Sequence, residues 1–125
     1  MLTTTSPKHV LLVDDDPWTR GGAVAALGGD PRLHVRAESV AEALRTRGHD
    51  RAADVLVIDV RDRADLHDRF RGVEVIDRLR RRDEADGRHR LAVVMAGEPV
   101  DLLLAARVAE AGADEVRVWA DTCSI

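Results

Sequence analysis

Cysteine is nearly absent from this chain, which contains only Cys123. A single thiol excludes a disulfide framework and a metal site built from several cysteines, and it agrees with a reducing cytosol. No apolar run approaches the ~20 residues that a membrane-spanning helix needs. The opening MLTTTSPKH also lacks the apolar core of a secretory signal. We therefore predict a cytoplasmic protein with no membrane partner.

Lysine is equally scarce, because Lys8 is the only lysine among 19 Lys and Arg residues. The net charge of −4 at pH 7 argues against direct contact between this chain and nucleic acid. A length of 125 residues with 45% hydrophobic content is typical of one globular domain with one core. We predict an N-terminal tail at 1–8 and a single domain at 9–125.

Short apolar runs alternate with amphipathic stretches along the whole chain. The runs predict strands at 10–13, 33–38, 53–60, 91–97 and 115–119. The stretches between them predict helices at 17–28, 40–48, 72–84 and 100–111. Asp16 and Pro17 form an N-terminal helix signal, and Ser39 with Glu42 forms a capping box. This alternation predicts an α/β fold with a parallel sheet and helices on both faces, joined by right-handed crossovers.

Acidic residues follow two of the predicted strands. Asp14, Asp15 and Asp16 come directly after the first strand, and Asp59 lies at the end of the third, which we expect to be buried on both faces. Because ligands of open α/β sheets bind at the carboxyl ends of strands, we expect these acids to converge. Carboxylates with a backbone carbonyl and waters suit Mg²⁺. The structural alternative is a charged loop, and Asp16, placed before Pro17, fits an N-cap better than a ligand.

The chain resembles the receiver domain, the phospho-accepting module of bacterial response regulators, from about residue 10 to 119. The resemblance rests on LLVDDDP, ADVLVIDV, GVEVIDRLR and AEAGADEV. The segment ALGGDPRLHVRAESVAEAL is further similar to receivers attached to LuxR/NarL-type helix-turn-helix regulators. The resemblance implies a flavodoxin-like (βα)5 fold with a five-stranded parallel sheet. Only six residues follow Trp119, so the fifth helix has no sequence here, and we favour a truncated domain over a four-helix variant.

Matched to the motifs of the receiver family, Asp59 corresponds to the phospho-accepting aspartate. The resemblance implies that Asp14, Asp15, Asp59 and the backbone carbonyl of Arg61 hold a weakly bound Mg²⁺, with Asp15 a direct ligand. It implies phosphoryl transfer from a sensor histidine kinase. It also implies transcription control through a DNA-binding output domain outside this chain, and a homodimer as a further candidate assembly.

Three features depart from the receiver pattern. Ala96 or Gly97 stands where the family has a Ser or Thr after strand four, and Trp119 stands where it has a lysine after strand five. The segment 60–71 is longer than the family's loop and highly charged, which indicates either a solvated loop or a lid in which Arg61 or Arg63 supplies positive charge. We therefore expect an atypical receiver that keeps its acceptor and metal ligands but switches weakly.

Two other functions stay open from the sequence. One is a phosphorylation-independent pseudo-receiver that acts by protein contact or by binding a small ligand. The other is a phosphohydrolase, because Asp14-x-Asp16 resembles the motif of haloacid-dehalogenase-type enzymes, although Trp18 and the lack of a later lysine depart from it. We predict that the chain is not an enzyme. The five histidines lack ligand spacing in the sequence, which favours surface or structural roles; they are His9, His34, His49, His67 and His89.

Overall fold

The computed structural model describes residues 6–45, 52–59, 66–96 and 102–118. The elements within these ranges are β1 (Lys8–Val13), α1 (Pro17–Gly28), β2 (Leu33–Glu38), α2 (Val40–Arg45), β3 (Val55–Asp59), α3 (Leu66–Asp86), β4 (Leu91–Ala96), α4 (Leu102–Ala111) and β5 (Glu115–Val118). The five strands form one sheet in the order β2-β1-β3-β4-β5, and every neighbouring pair is parallel. The predicted α/β fold with a five-stranded parallel sheet is confirmed.

The strand order reverses direction at β1. The chain moves outward from β1 to β2 and then returns across β1 to β3, so the switch point of the sheet lies between β1 and β3. Right-handed crossovers in opposite directions place α1 and α2 on opposite faces of the sheet. This topology positions the carboxyl ends of β1 and β3 side by side.

The larger core lies on one face of the sheet, under α2, α3 and α4. It contains buried side chains from the strands and from these three helices, among them Leu11, Val13, Leu56, Ile58, Val94, Val40, Ile76, Leu79, Leu104 and Val108. The opposite face has thinner cover, because α1 has no buried residue of its own. Val55 and Val57 are consequently only half-buried. The expectation that β3 is buried on both faces was therefore wrong for the face that α1 covers.

The local helix signals act as predicted. The Asp16 carboxylate accepts hydrogen bonds from the Trp18 N–H at 3.0 Å and from the Thr19 hydroxyl at 2.9 Å, which caps α1. In the capping box, the Glu42 N–H donates to Ser39 Oγ at 3.1 Å. Both interactions stay within a few residues, so they need no tertiary contact to form.

Several predicted boundaries differ from the structure: β3 begins at Val55 rather than Ala53, and α3 ends at Asp86 rather than at residue 84. Lys8, assigned to the tail, is the first residue of β1, and its N–H donates to the Arg32 carbonyl at 2.9 Å. The segment expected to be a loop at 60–71 is helical from Leu66 onward, as the first part of α3. No proline or glycine interrupts 66–71, and one glycine at position 72 costs a helix only about 1 kcal/mol, too little to end it. Residues 60–65 lie outside the described residues, as do the predicted helix end at Gly48 and the two positions Gly97 and Trp119.

A network of charged side chains joins the end of α3 to the amino-terminal ends of β4 and β5. Asp83 accepts hydrogen bonds from Arg90 Nε at 2.6 Å, from the Arg90 N–H at 2.9 Å and from Arg80 Nη1 at 2.9 Å. Arg80 also donates to the Gly112 carbonyl at 2.8 Å and to Asp114 at 2.7 Å. Asp83 and Arg90 are both buried, so each depends on the other for neutralisation.

The hydrogen bonds and charges of this network favour the ionised forms of Asp83 and Asp114. Burial opposes ionisation of Asp83, but the Arg90 N–H and the guanidinium groups of Arg90 and Arg80 outweigh it and hold the pKa of Asp83 below its usual value. Burial likewise opposes ionisation of Asp114, while bonds from the His89 ring, a backbone N–H and Arg80 lower its pKa. Both groups therefore stabilise the domain above the ordinary carboxyl pKa, and the stability is lost as the pH falls through the lower folded values.

Replacing Asp83 by Asn should lower the free energy of unfolding near neutral pH by about 3 kcal/mol, because it leaves Arg90 buried without its counter-charge. It should also flatten the loss of stability between about pH 5 and pH 2. Urea unfolding across this pH range measures both effects. The control is Asp77→Asn, whose exposed partner Arg81 lies at 3.0 Å; we expect a change below about 0.5 kcal/mol there. Equal losses in the two variants would contradict the assigned role of Asp83.

Two glycines should respond oppositely to alanine. Gly22 lies inside α1, where an added Cβ meets no atom within 4 Å, so Gly22→Ala should stabilise the domain by about 0.5–1 kcal/mol. Gly112 has a φ of +107°, and its Cβ would lie 2.8 Å from Cγ of Arg80. Gly112→Ala should therefore destabilise. Urea midpoints compare the two, and a shift of the same sign in both variants would refute this account.

Candidate functional site

Two buried carboxylates lie side by side at the carboxyl edge of the sheet. Asp14 directly follows β1, and Asp59 is the last residue of β3; their exposed fractions are 1% and 3%. The register pairs Val13 with Ile58, so Asp14 lies opposite Asp59 on the next residue of each strand. Neighbouring strands are about 4.8 Å apart. The structure thus places Asp14 and Asp59 together at the switch point, where open α/β sheets bind ligands.

The three consecutive acids have separate backbone partners. Asp14 Oδ1 accepts the N–H of Asp16 at 2.8 Å, and the Asp14 N–H donates to the carbonyl of Glu38 at 2.9 Å. Asp15 Oδ1 accepts the N–H of Val40, the first residue of α2, at 2.8 Å. Asp14 therefore shapes the turn after β1, Asp15 ties that turn to α2, and Asp16 caps α1.

The contact between Asp15 and Val40 could not be read from the sequence, because the residues are 25 positions apart and meet only through the pairing of β1 with β2. Sequence reasoning gave Asp15 a single role as a metal ligand. The structure shows that Asp15 also caps a helix on the core face of the sheet. This hydrogen bond connects the turn after β1 to the start of α2.

Arg20 brings a positive charge to this acidic edge. Its Nη1 donates to the backbone carbonyl of Asp14 at 2.9 Å, and its own N–H donates to the Asp16 carbonyl at 2.9 Å in the first turn of α1. Sequence reasoning missed Arg20, although its spacing of one helical turn from Asp16 was a usable signal. The guanidinium of Arg20 therefore lies at the turn that carries Asp14.

The described end of β4 carries no hydroxyl. Ala96 is its last residue and is 6% exposed, and the register pairs the preceding Met95 with Asp59. The methyl group of Ala96 can accept or donate no hydrogen bond at this edge. The other residues assigned to the site from the sequence lie outside the described residues: Gly97, Trp119, Arg61 and Arg63.

The donor chemistry of this edge fits Mg²⁺, because Asp14, Asp15 and Asp59 supply the hard oxygen ligands that this ion prefers. Across 6–45, 52–59, 66–96 and 102–118, no group of three or more His, Cys, Asp or Glu side chains is arranged to hold a metal ion. Mg²⁺ commonly uses one or two carboxylates and retains several waters. The described carboxylates therefore do not form a closed cage around an ion.

Comparison by sequence finds no relative: no protein-family model and no curated protein matches this chain. Over the part of the chain that the structure describes, no helix is both long and apolar enough to cross a membrane.

Solved structures with the same fold are found by comparing coordinates. A response regulator receiver protein from Pseudoalteromonas atlantica is 23% identical, with 88% of this chain and 83% of that chain covered and a TM-score of 0.65. A LuxR-family two-component response regulator from an Aurantimonas species is 24% identical, with 95% and 79% covered and a TM-score of 0.68. The receiver domain of the histidine kinase CKI1 from Arabidopsis thaliana, complexed with Mg²⁺ and BeF₃⁻, is 22% identical, with 88% and 80% covered and a TM-score of 0.69. This chain therefore has the fold of response regulator receiver domains.

Proposed function

We propose that this chain is a receiver domain in which Asp59 accepts a phosphoryl group from the phosphohistidine of a sensor histidine kinase. The observation that carries the proposal is the position of Asp59, buried at the end of β3 and beside Asp14 at the switch point of a receiver fold. In the transfer, an Asp59 carboxylate oxygen forms a bond to phosphorus, the bond from phosphorus to the histidine nitrogen breaks, and the imidazole leaves with a proton.

The residues around Asp59 would reduce the charge repulsion that this transfer meets. Asp14, Asp15, Asp59 and the backbone carbonyl of Arg61 would hold Mg²⁺, with one or two of the carboxylates bound directly and the rest through water, and the ion would neutralise charge on the transferring group. The Arg20 guanidinium, 2.9 Å from the Asp14 carbonyl, adds a fixed positive charge to the same edge. A backbone N–H group binds one carboxylate oxygen of each of the two other acids and so helps to orient them.

Switching should be weak in this receiver. Ala96 has no hydroxyl to bond a phosphoryl group at Asp59, and the chain has no lysine after Lys8. A ligand shifts a conformational equilibrium only through contacts that differ between the two states. Without the hydroxyl and the lysine, a phosphoryl group on Asp59 has fewer contacts that differ between the two states. It should therefore shift their equilibrium less. The proposal is therefore an atypical receiver, cytoplasmic and without an enzymatic activity of its own.

The output we propose is control of transcription through a DNA-binding domain outside this chain. The segment 26–44, which resembles receivers of LuxR/NarL-type regulators, supports this, as does the fold shared with a LuxR-family regulator. The net charge of −4 agrees with a separate domain making the DNA contacts.

One observation favours a second candidate, the phosphorylation-independent pseudo-receiver. It is the buried methyl group of Ala96, one of the two positions at which the resemblance places a Ser or Thr; the other, Gly97, has no hydroxyl either. The phosphohydrolase is disfavoured, because its second acid would be Asp16, whose two carboxylate oxygens cap α1 by bonds to Trp18 and Thr19.

Mg²⁺ should bind weakly at the acidic edge and change the fluorescence of Trp18, which is 89% exposed and lies three residues after Asp15. In a Trp119→Phe background, Trp18 is the only tryptophan. Titration with MgCl₂ should give a saturable change, and Asp15→Asn should weaken binding by about tenfold or more. The Asn side chain can still accept the Val40 N–H, so α2 keeps its cap. Asp30→Asn, at an exposed pair with Arg32, is the control; the same titration curve in Asp15→Asn as in the parent would refute the site.

Asp59 should accept phosphoryl groups slowly from acetyl phosphate in the presence of Mg²⁺, because no lysine offsets the added charge. Intact mass measures occupancy over time, and Asp59→Asn should show none. Amide exchange across β4 and α4 should respond little to phosphorylation, and Ala96→Thr should strengthen the response by about fivefold, since one hydrogen bond contributes about 1 kcal/mol.

Rapid, stoichiometric phosphorylation with strong protection in β4 would contradict the atypical reading and indicate an ordinary receiver. Mg²⁺ binding without any phosphorylation, from acetyl phosphate or from a kinase, would favour the pseudo-receiver.

A further inference from the structure

Two histidines meet at the amino-terminal end of the sheet, far along the strands from the acidic edge. His9 in β1 and His34 in β2 are register partners, and both are exposed. Register partners in a parallel sheet project from the same face. The centroids of the two rings are 5.0 Å apart and their planes are inclined at 50°, so the rings do not stack face to face.

This separation is the one expected for two imidazoles that share a metal ion. With a zinc–nitrogen distance of about 2.0–2.1 Å, each ring centroid lies about 3.2 Å from the metal. The centroids of two such rings are about 5.2 Å apart when the nitrogen–metal–nitrogen angle is tetrahedral, and about 4.5 Å apart when it is a right angle. The 5.0 Å between His9 and His34 falls between these limits. The backbone register therefore sets the ring centroids at a distance compatible with a shared metal ion.

A cavity of about 220 Å³ adjoins the pair. It is lined by His9, Val10, Leu11, His34, Arg36, Ala52 and Ala53. One liquid water occupies about 30 Å³, so the cavity has room for an ion and the several waters that would complete its coordination.

The fixed charges around this cavity are of both signs. Arg36 lines the cavity, but its Nε lies 3.4 Å from the carboxylate of the buried Glu38. The Asp54 carboxylate accepts the backbone N–H of His9 at 2.8 Å, which adds a second negative group next to the ring pair. Arg88 and Arg90 each donate to the carbonyl of Ala53 at 3.3 Å, so guanidinium groups also lie near the cavity, and the preference for a metal ion comes from the two imidazoles rather than from the net charge.

We propose that His9 and His34 are the protein ligands of a site for a divalent transition-metal ion of the Zn²⁺ class, with water in the remaining positions. Imidazole nitrogen is a common ligand for these ions, whereas Mg²⁺ prefers oxygen. The site is independent of the proposed phosphorylation. A bound ion would link β1 to β2, the outermost strand on one side of the sheet. It would therefore stabilise the pairing of these two strands.

The test is a titration of the full chain with ZnCl₂. Binding is measured by calorimetry and by the rise in unfolding temperature. The parent should show one saturable site. His9→Gln and His34→Gln should each weaken binding by about tenfold or more, because the second imidazole no longer binds at high effective concentration. His89→Gln is the matched control, since Gln can keep a hydrogen bond to Asp114. Affinity should fall with decreasing pH, because protons compete for the ring nitrogens.

A readout on the parent protein avoids reliance on the variants. Imidazole nitrogen resonances of His9 and His34 should shift together on addition of Zn²⁺, while those of His89 should not. Zinc binding that survives both Gln variants but is lost in Asp15→Asn would assign the ion to the acidic edge and overturn this proposal, while leaving the proposed receiver function intact. Binding of inorganic phosphate that depends on Arg36, without binding of Zn²⁺, would overturn it too.

Discussion

The parallel pairing of β1 with both β2 and β3 is the constraint on which the rest of this molecule depends. Because β1 pairs with both β2 and β3, its two registers determine which residues lie opposite each other at each of its ends. At the carboxyl end the pairing with β3 places Asp14 opposite Asp59. At the amino end the pairing with β2 places His9 opposite His34. The same backbone hydrogen bonds thus define the proposed phosphorylation site and the proposed transition-metal site.

The acidic residues at the two ends of the strands have different kinds of partner. At the amino-terminal edge, Arg80 and Arg90 neutralise Asp83 and Asp114 through short, direct contacts, and these contacts hold α3 against β4 and β5. At the carboxyl edge, the described partners of the acids are mainly backbone N–H groups, and Arg20 reaches only a backbone carbonyl. The ion pairs at the amino-terminal edge therefore contribute to the stability of the fold. At the carboxyl edge, where we propose that a cation and a phosphoryl group bind, backbone N–H groups orient Asp14 and Asp15.

The two faces of the sheet are also unequal. One face packs against α2, α3 and α4 and contains the continuous core, whereas α1 on the other face buries none of its own residues. Asp15 links the acidic edge to the packed face through the Val40 N–H. The acidic edge is thus hydrogen-bonded to the start of α2, whereas the side chain of Ala96 in β4 can form no hydrogen bond.

Local signals determined much of this fold from the sequence alone. Alternating apolar runs predicted all five strands, and the caps at Asp16 and Ser39 formed as expected, because each needs only residues within one turn. The position of the acids at strand ends also predicted which edge carries the candidate site. By contrast, the start of α3 was missed, since the loop signal at 60–71 was charge, which a helix tolerates equally well.

Only the tertiary structure decided which distant residues meet. The hydrogen bond from Val40 to Asp15, the approach of Arg20 to Asp14 and the pairing of His9 with His34 all depend on strand register and crossover handedness. The histidines had no ligand spacing in the sequence because the sheet, and not the chain, makes them neighbours. Sequence determines each element through short-range energetics, whereas contacts between elements arise from packing that no local pattern records.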